Sequence, residues 1–130
     1  MTNSRKKVLV IDDEEDFCFF VRENLANTGR FDVVIATNGL RGIELADAEA
    51  PDIILLDMVM PDMAGEEVLE KLREKQQTAE IPVVFLTALA TRQDTGSEVF
   101  KKIGDSYVIA KPVRTRELIR AIDSFLGANA

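Results

Sequence analysis

The chain of 130 residues is 46% hydrophobic, with one cysteine (Cys18), no histidine and a net charge of -7. That size supports one domain with its own core, and the composition excludes disorder as the default, an internal disulfide, histidine-ligated zinc and Ser–His catalysis. No apolar run approaches the roughly 18 residues of a membrane span, and the polar start "MTNSRKK" lacks a signal-peptide core, so a cytoplasmic chain without membrane contact is expected. The acidity is uneven: residues 1–65 hold 13 acids and 6 bases, leaving -7, whereas residues 66–130 hold 10 of each and cancel. Such a domain is a poor nucleic-acid binder by itself, and direct contact with nucleic acid is not expected.

The first apolar run, "KVLVID" (7–12), predicts a strand that ends in five consecutive acids, Asp12, Asp13, Glu14, Glu15 and Asp16. Phe17, Phe20, Val21 and Leu25 follow at helical spacing and predict a core-facing stripe. "FDVVIA" (31–36) predicts a second strand, closed by "TNG", and Leu40, Ile43 and Ala46, with Leu45 alongside, a second helix. "PDIILLD" (51–57) predicts a third strand, with Val68, Leu69 and Leu72 marking the helix behind it. "PVVFLT" (82–87) and "YVIA" (107–110) predict the fourth and fifth strands, and a last stripe runs through Leu118, Ile119, Ile122, Phe125 and Leu126. Near-continuous apolar strands, rather than alternating ones, indicate a sheet covered on both faces. Five βα rounds predict a single α/β domain, a doubly wound parallel sheet of the flavodoxin-like (βα)5 kind with strand order 2-1-3-4-5.

The strand ends carry the chemistry. The first ends at Asp12–Asp13, the third at Asp57 and the fourth at Thr87, and the fifth runs into Lys111–Pro112. In the expected order the first, third and fourth strands are neighbours, so these groups meet on one rim. Carboxylates within ~5 Å repel by roughly 3 kcal/mol per pair at an effective dielectric near 20, which calls for either a bound cation or a retained proton. Hard oxygen donors without histidine point to Mg²⁺ or a similar ion. Glu14, Glu15 and Asp16 are read as first-turn residues of the following helix, favoured there by its dipole. A metal beside a free carboxylate, a lysine and a hydroxyl suits phosphoryl transfer, with Asp57 as nucleophile and Lys111, Thr87 and backbone N–H groups receiving the equatorial charge.

The set "DD" at 12–13, "DMVMPDMAG" at 57–65, "TA" at 87–88 and "KP" at 111–112 resembles the receiver domain of two-component response regulators, chemotaxis regulators among them, over essentially the whole chain. The resemblance implies a receiver domain over residues 7–127, between a lead at 1–6 and a tail at 128–130. It implies a regulatory domain rather than an enzyme, one that assists its own phosphorylation and dephosphorylation. Asp57 would take phosphate from the phosphohistidine of a sensor histidine kinase or phosphotransfer protein. Asp12, Asp13, Asp57 and the carbonyl of Met58 would surround Mg²⁺, Thr87 would swing toward the phosphoryl oxygens, and Lys111 would pair with them. The Lys111–Pro112 bond would be cis. Phosphorylation would shift the surface around the fourth helix, fifth strand and fifth helix, which a downstream protein reads.

Two departures stand out. Val108 occupies the place where the family has a switching aromatic, and Tyr107, one residue earlier, falls on the opposite strand face. The stretch from Thr87 to Lys111 is about two residues longer than the family's pattern, so Asp94–Thr95–Gly96 is expected in a loop with a short helix from about Ser97. Val59 and Leu89, flanking the path of attacking water in the family, are apolar, which predicts slow self-hydrolysis. Alternatives are a phosphorylation-independent binding module, a metal-dependent phosphatase with an aspartyl nucleophile, and, more distantly, a flavodoxin.

Overall fold

The computed structural model describes residues 5–88, 101–103, 106–111 and 114–127. The elements run β1 (Lys6–Ile11), α1 (Glu15–Ala26), β2 (Phe31–Ala36), α2 (Gly39–Glu49), β3 (Ile53–Asp57), α3 (Gly65–Glu74), β4 (Val83–Thr87), β5 (Lys101–Ile103), β6 (Ser106–Ala110) and α4 (Thr115–Leu126). Five strands are parallel, in the order β2-β1-β3-β4-β6, which is the expected 2-1-3-4-5 arrangement.

One element departs from expectation. Lys101–Ile103 forms β5, a short strand antiparallel to β6 that extends the sheet to six strands. The helix expected from about Ser97 does not reach these residues, and residues 97–100 lie outside the described part, as does the Asp94–Gly96 loop. The pairing of Lys102 with Tyr107 and Ile103 with Ser106 gives the β5 backbone the ladder partners that a helical turn would otherwise supply.

Alternate residues of each buried strand point to opposite sides of the sheet, and each side has its own core. Val8, Val10, Ile53, Leu55, Val84, Leu86 and Ile109 pack beneath α1 and α4, against Cys18, Val21, Leu25, Leu118 and Ile122. Leu9, Ile11, Ile54, Leu56, Phe85 and Val108 face α2 and α3, against Ile43, Ala46, Val68 and Leu72. This two-sided burial explains why the strands read as apolar runs rather than alternating ones. Two stripe residues fall outside these cores. Phe20 and Leu40 are exposed, because α1 meets the sheet through Cys18, Val21 and Leu25, and α2 through Ile43, Leu45 and Ala46. Each helix rotates its exposed apolar residue roughly 100° off that face.

Candidate functional site

The carboxyl ends of the parallel strands form one rim. Asp57 is the last residue of β3, in register with Leu86 of β4; Thr87, the next residue of β4, is in register with Ala110 of β6. The Thr87 carbonyl accepts the Lys111 N–H at 3.0 Å, and the Ala36 carbonyl accepts the Asp12 N–H at 3.0 Å, so the ladder extends one residue beyond both β6 and β1. Those extra bonds fix where Asp12 and Lys111 leave the sheet. Carboxylate oxygens of Asp12, Asp13 and Asp57 lie within 4.8 Å of one another. Asp12, Asp57 and Thr87 are buried, and Asp13 is exposed at the mouth.

The acids are held by an uneven set of partners. One oxygen of Asp12, Oδ1, accepts the Glu14 N–H at 2.9 Å and shapes the turn into α1. The other, Oδ2, is fully buried and receives no directional hydrogen bond, although the Lys111 ammonium lies 2.5 Å away as an ion pair. Among the described residues, Asp57 accepts one long hydrogen bond, 3.4 Å, from the Val59 N–H. Burial, reinforced by the Asp12 charge, pushes the Asp57 carboxyl up to about 6, against the pull of Lys111. Burial would lower the Lys111 ammonium, but its close contacts with the Asp12 and Glu14 carboxylates outweigh that and hold it above the ordinary lysine range. Cys18 donates its S–H to the Asp12 carbonyl at 3.2 Å, and burial followed by the Asp12 charge pushes the thiol up to about 12, so it is an inert packing group.

The loop after Asp57 is clamped at both ends. Met58 donates its N–H to the Leu86 carbonyl at 3.3 Å, and its own carbonyl accepts the Gly65 N–H at 2.9 Å, leaving one lone pair free for another partner. Asp62, midway along the loop, accepts the N–H groups of Gly39 and Leu40 at 3.0 to 3.2 Å and so caps the start of α2 beside Asn38. The loop therefore holds the Met58 carbonyl at the rim through hydrogen bonds to α2, α3 and β4.

All the sequence-predicted site residues, Asp12, Asp13, Asp57, Met58, Thr87 and Lys111, lie on this rim. Val108 is buried on the α2–α3 side, and Tyr107 lies on the other side, where its ring meets Phe125 edge to face at 5.0 Å. The two residues thus occupy opposite faces as expected, and Tyr107 is part of the packing beneath α4. Leu89 and Pro112, with the geometry of its peptide bond, lie outside the described residues. Sequence reasoning missed Glu14 and Phe17. Glu14 was read as a dipole partner of α1, but its carboxylate leaves the helix end and pairs with Lys111 at 2.7 Å; the same ammonium sits 4.5 Å from the centre of the Phe17 ring. Nothing local in "DDEEDF" signals a partner 97 residues away.

Residues 8–123 match the model of the response regulator receiver domain, and the chain belongs to that family. It is a regulatory domain of the phospho-accepting switch class used in two-component signalling. Among curated relatives, it is similar to the polar-differentiation response regulator DivK of Brucella anthropi, 31% identical over 122 residues that make up 94% of this chain and 97% of the relative. It is 36% identical over 120 residues to RpaA of Synechocystis, described as a DNA-binding dual master transcriptional regulator; the match takes in 92% of this chain but only 48% of that protein, so the chain spans about half of RpaA. Among solved structures, the receiver domain of the Francisella response regulator 1452 superposes with a TM-score of 0.76 at 26% identity, covering 97% of this chain and 100% of that one.

Proposed function

We propose that Asp57 accepts a phosphoryl group from the phosphohistidine of a partner kinase or phosphotransfer protein. The supporting observation is the buried carboxylate pair Asp12 and Asp57, close to Asp13 and under-supplied with hydrogen bonds, beside a single lysine. Three carboxylates with oxygens within 4.8 Å of one another, and a carbonyl with a spare lone pair, suit a cation. Asp12, Asp13, Asp57 and the Met58 carbonyl would hold Mg²⁺. When bound, the ion supplies positive charge to the acids and to the phosphoryl oxygens. An Asp57 carboxylate oxygen forms the new P–O bond while the P–N bond to the partner's imidazole breaks; the nitrogen leaves with the bonding pair and takes up a proton. Lys111 and the Thr87 hydroxyl take up charge on the equatorial oxygens. No carboxylate lies two residues after Asp57, where a phosphatase of the aspartyl-nucleophile kind needs an acid and base; that residue is the exposed Val59. Residues 7–127 would form the receiver unit, working in the cytoplasm and passing its signal to a downstream protein.

Titration with beryllofluoride and Mg²⁺, followed by amide NMR, tests this reading. The expected result is saturable movement of the amides of Met58, Val59 and Thr87; amides that stay in place at saturating reagent would contradict it. A second expectation concerns lifetime. Val59 leaves 58% of its surface exposed beside Asp57 and offers no group that orients water. Val59→Asn should therefore speed loss of phosphate by about tenfold, well short of full general-base catalysis. First-order decay followed by intact mass reads the effect, and equal rates in the two proteins would dismiss the role of this side chain.

A further inference from the structure

Lys111 is occupied. Its ammonium makes ion pairs with Asp12 at 2.5 Å and with Glu14 at 2.7 Å, and it rests 4.5 Å from the centre of the Phe17 ring. The lysine is nearly buried, with 9% of its side chain exposed, so this environment replaces most of its water. Two of the three contacts come from the start of α1. Glu14 is the residue preceding that helix, where short Ser, Thr, Asp or Asn side chains ordinarily cap the free N–H groups; its longer side chain makes no cap and reaches the lysine. Its backbone is fixed by the N–H bond to Asp12 Oδ1 and by its carbonyl, which accepts from Cys18 at 3.1 Å, so the carboxylate is presented from an anchored position. Phe17, one turn on, supplies a ring face to the cation.

We propose that Glu14 and Phe17 form a parking seat for Lys111, so that Glu14 is a positioning residue that competes with the phosphoryl group for the Lys111 ammonium. The inference rests on the reading of Asp57 as phosphoryl acceptor. Phosphorylation then involves an exchange: the ammonium gives up Glu14 and gains the phosphoryl oxygens. Glu14, with 63% of its side chain exposed, returns to water when released, so the seat is a weak competitor that sets the affinity of the switched state without blocking it.

The test is a double-mutant cycle on beryllofluoride affinity at saturating Mg²⁺, with Glu14→Gln and Lys111→Met. Glu14→Gln should tighten binding by about threefold, the scale of an exposed ion pair, and should have no effect once Lys111 is methionine. The same gain in both backgrounds would mean that Glu14 acts only as a nearby negative charge, and no gain in either would mean there is no competition; each result overturns the proposal. A readout independent of phosphate chemistry is the NMR shift of the Lys111 ε-methylene, displaced by the Phe17 ring in the metal-free protein. It should move toward the free-lysine value in Glu14→Gln, and an unmoved resonance would also overturn the seat. If the wild type fails to bind beryllofluoride at all, the acceptor reading falls, while the ε-methylene shift still decides whether Glu14 and Phe17 hold the lysine.

Discussion

Replacing Asp57 by asparagine should make the metal-free protein more stable at neutral pH. The carboxyl is buried next to Asp12, and its pKa stands near 6 against an ordinary 3.8. An acid whose folded-state pKa is raised holds its proton more tightly in the fold than in the unfolded chain. The stability it contributes is full below about pH 4 and is lost as pH rises through about 6. At ~1.4 kcal/mol per pH unit between those values, ionised Asp57 costs the fold about 3 kcal/mol at pH 7. Asparagine has the same shape and cannot ionise. Thermal melts without Mg²⁺ should therefore place Asp57→Asn roughly 10 °C above the wild type at pH 7, with the gap closing toward pH 4. A gap that persists at pH 4, or is absent at pH 7, would mean that Asp57 is not strained by its neighbours. Mg²⁺ should reverse the comparison, raising the melting point of the wild type more than that of the variant, because binding to the folded state alone adds its own stabilisation.

Gly65→Ala should be the most damaging glycine-to-alanine change among the described residues. A Cβ at Gly65 would stand 2.4 Å from the Asp57 carbonyl oxygen and 2.9 Å from the Met58 Cα. Both obstacles are backbone, so no side-chain rotation relieves them. The 58–65 loop must move, and with it the hydrogen bond from the Gly65 N–H to the Met58 carbonyl. The expected cost is about 3 kcal/mol in urea unfolding, at the upper end for overpacking. Mg²⁺ affinity should fall by more than about tenfold through the displaced carbonyl, as loss of a supporting partner of a metal ligand does. A variant that unfolds like the wild type and binds Mg²⁺ as tightly would show that the close approach of α3 to the acceptor loop is not needed.

The order in which these residues could be found follows the range of the forces involved. The strands announced themselves through unbroken valine, isoleucine and leucine runs, because burial on two faces leaves no polar alternation. The rim followed from the same reading, since Asp12, Asp57, Thr87 and Lys111 each stand at or just after the end of such a run. Phe20 and Leu40 misled because a stripe at helical spacing specifies a face only within about one residue; the small Cys18 took the buried position on α1, while the expected Ile43, Leu45 and Ala46 bury α2 without Leu40. The β5 strand was hidden for a similar reason. "KKI" is too short and too charged to read as an apolar run, although the "GD" after it is a hairpin signal in the sequence, and Lys101–Ile103 pairs with β6 in an antiparallel ladder. Glu14 was hidden most completely, because its role is set by a lysine at the far end of the chain.

In the proposed function, Asp12 and Asp13 with a divalent ion prepare Asp57 to form an acyl phosphate. Intact mass after incubation with acetyl phosphate reads this out, in the wild type with Mg²⁺, in the wild type with excess chelator, and in Asp57→Asn with Mg²⁺. One added phosphoryl group is expected in the first sample and none in the other two. An adduct that survives either chelation or the loss of Asp57 would contradict it.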